Sequence, residues 1–122
     1  RSALDTHSLY VIREAEKILL VASLDTSQPE EYRSCQWRYE EPAAVVHHLC
    51  VHPSHWRAGL ASSFMDFAES FARTSGLRSM RLDAYQLNSV ALSMYRARGY
   101  SKEGTVVFPR RGLRFICFEK KV

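Results

Sequence analysis

Apolar and polar positions along the chain change their period several times, and each change marks an element. Leu9-Tyr10-Val11-Ile12 is a short strand signal, closed by the polar turn region Arg13-Glu14-Ala15-Glu16-Lys17. A second run, Ile18-Leu19-Leu20-Val21-Ala22-Ser23-Leu24, follows at hairpin distance. Residues 25–41 are polar and loop-like, rich in Gln, Glu, Ser and Pro, with Trp37 as their anchor. Ala43-Ala44-Val45-Val46-His47-His48-Leu49-Cys50-Val51 is nearly continuous and β-branched, which predicts a central strand buried on both faces. His52-Pro53-Ser54-His55 ends it, because Pro53 withholds a donor from the ladder.

From Gly59 to about Ser75 the period becomes helical. Leu60, Phe64, Phe67, Ala68, Phe71 and Ala72 recur at three- and four-residue steps, while Ser62, Asp66, Glu69 and Arg73 fall elsewhere on the wheel. Gly76 is a natural stop. Residues 78–85 alternate as a strand with one face in the core. Asn88 then caps a short helix from Ser89 to Arg98, with Ala91, Leu92 and Tyr95 on one stripe and Gly99 after it. Two strands close the chain, 100–108 and 113–118, around the turn-rich Pro109-Arg110-Arg111-Gly112. The order β, β, β, helix, β, helix, β, β predicts an α/β (α+β) fold: a mixed sheet with two packed helices, antiparallel hairpins flanking one parallel β-helix-β pair.

A length of 122 residues fits one domain, 1–122, with enough chain for a core. Hydrophobic residues at 46% and charged residues at 25% exclude a disordered tail, and no apolar run reaches the roughly 18 residues of a membrane span. Net charge is +4 and comes mostly from 13 Arg against 4 Lys, which suits an anionic partner. The arginines are scattered, with no aromatic-interleaved basic ribbon, so nucleic acid is not expected. Cys35, Cys50 and Cys117 are an odd number without a CxxC and read as reduced small hydrophobes of a cytoplasmic protein.

Chemistry concentrates after the central strand. Strand, turn and helix start follow one another through His52-Pro53-Ser54-His55-Trp56-Arg57-Ala58-Gly59-Leu60-Ala61. Gly59 and Ala61 keep side chains off the first helical turn, so an anion such as a pyrophosphate can reach its backbone N–H groups, with Arg57 as an added donor. A packing glycine would read the same way.

Leu49-x-Val51-x-Pro53 with Arg57-Ala58-Gly59-Leu60-Ala61 resembles the acetyl-CoA signature of the GNAT superfamily of N-acetyltransferases. Asn88-Ser89-Val90-Ala91-Leu92-x-x-Tyr95-x-x-x-Gly99-Tyr100 resembles its second signature, and the pattern spans residues 43 to 100. The resemblance implies a central parallel pair splayed for acetyl-CoA. Backbone at Leu49, Cys50 and Val51 would pair with the pantetheine amides, the amides of Arg57, Ala58, Gly59, Leu60, Ala61 and Ser62 would hold the pyrophosphate, and Asn88 would touch the pantetheine arm. Tyr95 would protonate the departing thiolate. It implies direct transfer from acetyl-CoA to a primary amine, on a small molecule or a peptide, in a ternary complex. A non-catalytic acyl-CoA-binding or partner-binding module of the same fold is the rival. Two departures matter: Trp56 stands where the signature has Gln or Arg, and the strand and helices with which family members begin are absent before Leu9. The cofactor half is therefore expected complete and the acceptor half incomplete. Exposed edge strands leave room for a homodimer.

Four histidines fall within nine residues, but His47 and His48 are strand neighbours pointing to opposite faces, and no spacing completes a metal set, so no metal is expected. By strand parity His47 shares a face with Val45, Leu49 and Val51, where an imidazole could take the amine proton. A hydrogen-bonded core histidine is the competing reading. Asp83, Tyr85 and His48 are further candidate bases, as are Glu40 and Glu41 if the loop folds over the site. Cys50, read as buried, makes a covalent acyl-enzyme unexpected. Tyr95 is otherwise a core aromatic, Trp37 a candidate wall of the acceptor pocket, and Arg96 and Arg98 candidate contacts to the adenosine phosphate.

Overall fold

The structure is a computed structural model and describes residues 8–53, 59–108 and 112–122. Eight elements follow in the expected order: β1 (Ser8–Glu14), β2 (Lys17–Asp25), β3 (Ala43–Val51), α1 (Leu60–Thr74), β4 (Ser79–Tyr85), α2 (Ser89–Ala97), β5 (Ser101–Val107) and β6 (Arg114–Lys121). A 3-10 turn, Glu30–Ser34, lies inside the β2–β3 connection. The strands form one sheet in the order β1-β2-β3-β4-β6-β5. Among the neighbouring pairs β3 and β4, joined through α1, run parallel and the others are antiparallel; α2 also joins β4 to β5, but β6 lies between those two.

That parallel pair is short. Ala43, Ala44 and Val45 pair with Ser79, Met80 and Arg81, and the ladder stops there although β3 runs on to Val51 and β4 to Tyr85. The cause lies in β3 itself. Against β2, His47 pairs with Ser23 and Cys50 with Val21, so three steps on β3 answer two on β2. His48 holds the spare residue, at a left-handed φ of 52°.

This bulge overturns the parity expectation for His47. Ala44 and Val46 lie in the core cluster under the helices, and after the bulge Leu49 and Val51 pack against that same cluster. Val45 belongs to the opposite cluster, so His47 does not share a face with Leu49 and Val51. Burial on both faces holds only for Ala43 to Val46, and Cys50 is exposed rather than buried. Its side chain emerges where the bulge has lifted the strand away from cover.

Both helices lie on one face, where Phe64, Met65, Ala68 and Ala72 of α1 and Leu92 and Tyr95 of α2 meet Leu20, Ala22, Leu24, Met80, Leu82 and Phe118. Two positions on α1 depart from the wheel. Phe67 is partly exposed and meets Tyr10 edge-on at 5.2 Å, whereas Glu69 is buried. Its carboxylate accepts hydrogen bonds from Tyr100 Oη at 2.8 Å, Lys120 Nζ at 2.9 Å and Arg98, which makes burial of the charge tolerable.

The other face carries a second cluster of Tyr32, Cys35, Val45, Val106, Phe115 and Cys117, covered by the 26–42 connection. Here too the alternation in β4 misleads. Ser79 and Arg81 are buried rather than solvent-facing, because Arg81 Nε reaches the buried carboxylate of Glu119 at 3.1 Å and Ser79 donates to the same group. Gly76 and Gly99 follow the helices at φ 79° and 93°, as their positions predicted.

Candidate active site

Where β3 and β4 part, a cavity of about 700 Å³ opens. Its walls are Val46 to Cys50 of β3, Leu82 to Tyr85 of β4, Asn88, Ala91 and Tyr95 around α2, Phe108 and Phe115, and Pro29 and Glu31 from the 26–42 connection. Of the residues singled out from the sequence, His47, Leu49, Cys50, Asn88 and Tyr95 therefore come together on one cavity. Beyond Val45, β3 keeps its ladder to β2 but has none to β4, so the edge it turns toward β4 borders this opening, where an extended amide-bearing ligand could lie.

At the far end of β3 stands the start of α1. Gly59 is its N-cap with φ 80°, and the first helical bond runs from Ser63 N–H to the Gly59 carbonyl at 2.9 Å. The amides of Leu60, Ala61 and Ser62 consequently have no intrahelical acceptor, and the first turn holds no acidic residue. The Ser62 hydroxyl accepts from Arg98 Nη1 at 2.8 Å. Arg57, Ala58, Trp56 and His55 lie outside the described residues.

Arg98 does not serve as a free cationic contact for a phosphate. Its guanidinium also reaches Asp66 at 2.7 Å and Glu69, tying the first three turns of α1 to the end of α2. Arg96 stays exposed.

Tyr95 is 5% exposed, and among the described residues no group hydrogen bonds to its hydroxyl. Burial, reinforced by the charge of Asp83, pushes its pKa well above that of an ordinary phenol. It is thus a buried, protonated donor facing the cavity. Asn88 spends its side-chain oxygen on the α2 cap, accepting from Ala91 N–H at 3.1 Å.

His47 Nε2 lies 3.0 Å from Asp25 Oδ1 and 3.1 Å from the Ser27 carbonyl. Both partners are acceptors, so Nε2 carries the hydrogen, and in the neutral ring Nδ1 is the basic atom. Asp83, on the β4 wall, accepts from the Tyr32 hydroxyl at 2.6 Å. Burial, then the Asp83 charge, raises the Tyr32 pKa well above its ordinary value, so this bond persists. His48 and Tyr85 both line the cavity.

Glu40 and Glu41 do not reach the cavity. Glu40 pairs with Arg78 at 3.5 Å, and Glu41 accepts from Gln28 at 2.7 Å. Glu31 takes the place expected of them, and Trp37 lies behind the wall, stacked on Arg81 at 4.5 Å, rather than forming it. Glu31 and the Tyr32–Asp83 bond went unread because a single polar loop offers no spacing that fixes which carboxylate turns inward. Among the described residues no group of three His, Cys, Asp or Glu could hold a metal ion.

A splayed β-helix-β pair thus lies beside a glycine-capped helix start, the arrangement of an acyltransferase of the family that the sequence matches. Residues 3–100 match the Acetyltransferase (GNAT) family, and the chain belongs to it. An aminoglycoside N(6')-acetyltransferase type 1 from Acinetobacter baumannii is 24% identical over 110 residues, covering 84% of this chain and 75% of that enzyme. Among solved structures, an IAA acetyltransferase from Bacillus cereus superposes with a TM-score of 0.76 at 12% identity, over 95% of this chain and 78% of its own. A Salmonella typhimurium protein solved with its cofactor acetyl-CoA gives 0.68 at 17% identity, over 94% and 64%.

Proposed function

We propose that this chain transfers an acetyl group from acetyl-CoA to a primary amine on a small molecule, by direct attack with both substrates bound. The observation that carries the reading is the end of the β3–β4 ladder after Val45 and Arg81, which opens the cavity beside the largely buried Tyr95. The residues present suit acetyl-CoA. An extended amide-bearing arm fits the open edge of β3 at Leu49, Cys50 and Val51, with Asn88 beside it. A pyrophosphate fits the amides of Gly59 to Ser62, with Arg57 and Ala58 assigned to the same cradle by the sequence resemblance.

When bound, acetyl-CoA supplies the activated acyl carbon. The remaining steps belong to this chain. A backbone N–H on the bulged part of β3 polarises the acyl oxygen. His47 receives the proton of the amine at Nδ1, directly or through water, while Asp25 holds the ring and stabilises its charged form. Tyr95 donates to the sulfur as the amide forms and the thiolate leaves. The aminoglycoside acetyltransferase relative favours a small polar amine over a peptide as acceptor. Free cysteines fit the cytoplasmic setting this reading assigns.

Asp83 supports a second assignment of the base, because its carboxylate also lines the cavity and is oriented by Tyr32. His47→Gln and Asp83→Asn separate the two, since the true base controls the acidic limb of kcat/KM against pH.

Calorimetric titration with acetyl-CoA and CoA tests the cofactor half. Gly59→Glu is the control, placing a carboxylate at the cradle and a side chain on a φ of 80°. Micromolar binding in the parent, absent in the control, supports the reading and leads to thiol release with a panel of amines. No binding at millimolar ligand overturns it.

A further inference from the structure

We propose that Arg81, a residue outside the cavity, positions the acceptor wall by gripping both ends of the 26–42 connection. The inference rests on the reading above, which makes that wall the acceptor side.

The connection borders the cavity through Pro29 and Glu31, yet it forms no strand and contains only the 3-10 turn Glu30–Ser34. Its backbone meets the sheet at scattered points: Gln36 N–H donates to the Glu103 carbonyl at 3.1 Å, and the Pro42 carbonyl accepts from Arg78 N–H at 2.9 Å. Side chains add further holds, and three of them converge on one guanidinium. Arg81 Nη1 donates to Gln28 Oε1 at 2.8 Å, just before the segment that supplies Pro29 and Glu31. Arg81 Nη2 donates to the Tyr39 carbonyl at 2.8 Å, on the returning arm. Between the two arms, Trp37 stacks on the guanidinium face at 4.5 Å. Nε is fixed by Glu119, whose other oxygen accepts from Arg38 N–H at 2.7 Å.

Arginine suits this task because its planar fork fixes three directions at once, whereas an ammonium offers one point charge. Arg81 is buried and immediately precedes Leu82 and Asp83 on the opposite wall of the cavity. The grip therefore sets the gap between Glu31 on the connection and Asp83 on β4. The Tyr32–Asp83 bond at 2.6 Å closes the same gap from within.

Arg81→Lys and Gln28→Ala test this. The lysine keeps a cation for Glu119 and loses the fork; the alanine leaves the buried pair untouched and removes one arm. Amide exchange should speed up at Tyr32, Cys35, Gln36 and Arg38 in both, with the β4–β6 ladder unchanged. If the docked fraction of the wall falls to about one tenth, KM for the amine rises about tenfold. Affinity for acetyl-CoA, read by calorimetry, and kcat should stay within about twofold. Unchanged exchange overturns the grip. Faster exchange with an unchanged amine KM, or parallel losses in acetyl-CoA affinity, overturns its assigned consequence. A parent that binds acetyl-CoA and acetylates no amine removes the transferase reading, and with it the acceptor role of this wall, while the exchange data still judge the grip.

Discussion

Glu69→Gln is the sharpest test of how the two helices are locked together. The substitution keeps the shape of the side chain and removes its charge. In the parent, this buried carboxylate accepts from Tyr100 Oη at 2.8 Å, Lys120 Nζ at 2.9 Å, and Arg98 at 3.2 and 3.4 Å. Each charge-assisted bond is worth about 1.5–3 kcal/mol when fully buried. The realised loss is smaller here, because Lys120 is 25% exposed and turns to water, and Arg98 keeps Asp66 at 2.7 Å. A net cost of about 2–3 kcal/mol follows, lowering Tm by about 8–12 °C in a domain of this size. Burial alone would raise the Glu69 pKa, but the bonds from Lys120, Tyr100 and Arg98 outweigh it and hold the carboxyl below its ordinary value of 4.5. A depressed carboxylate stabilises the fold above its unfolded pKa and loses that contribution as pH falls through its folded one. The Tm gap between parent and variant, followed by circular dichroism, is therefore constant near neutral pH and narrows only below about pH 4.5. A gap under about 2 °C at pH 7, or one that widens on acidification, refutes the reasoning.

Two further outcomes concern the site and a third the packing behind it. Tyr95→Phe removes a hydroxyl that no described residue engages, so Tm holds while kcat falls about ten- to hundredfold at unchanged acetyl-CoA affinity, by steady-state thiol release. On the proposed direct transfer, Cys50→Ala retains the rate and no acetylated protein is trapped by mass spectrometry, although this thiol is exposed at the cavity. Gly104→Ala puts a Cβ at 2.7 Å from Cys35 Sγ and 3.3 Å from its Cα, costing about 1–3 kcal/mol in urea unfolding, and an unchanged midpoint would contradict that crowding.

Much of the scaffold was legible from periodicity. The bounds of β3 and the glycine stops after both helices stand where apolar runs and turn residues put them, since each rests on local steric rules. The misread charged positions share one cause: they depend on partners far away in the chain. Glu69 and Arg81 look like surface charges to any local rule, and become core residues only because Lys120 and Glu119 arrive from β6. Arg98 was a free cation until α1 supplied Asp66 and Ser62. The bulge at His48 was illegible for another reason. No glycine or proline marks it, and one residue of slip silently reverses every side chain beyond it. That slip decided which neighbours His47 would have, and it brought Cys50 to the surface.

The three-residue seam between β3 and β4 also has a mechanical consequence. Each half of the sheet is antiparallel and knitted by long ladders, whereas among the described residues the strand ladder between the halves is Ala43, Ala44 and Val45 against Ser79, Met80 and Arg81. A sheet built this way concentrates its compliance in one line, like a folded card, instead of spreading it over all strands. Breathing about that crease widens or narrows the cleft without unpicking a hairpin, and any molecule that bridges both sides acts as a splint, raising the stability of the whole domain by its own binding free energy.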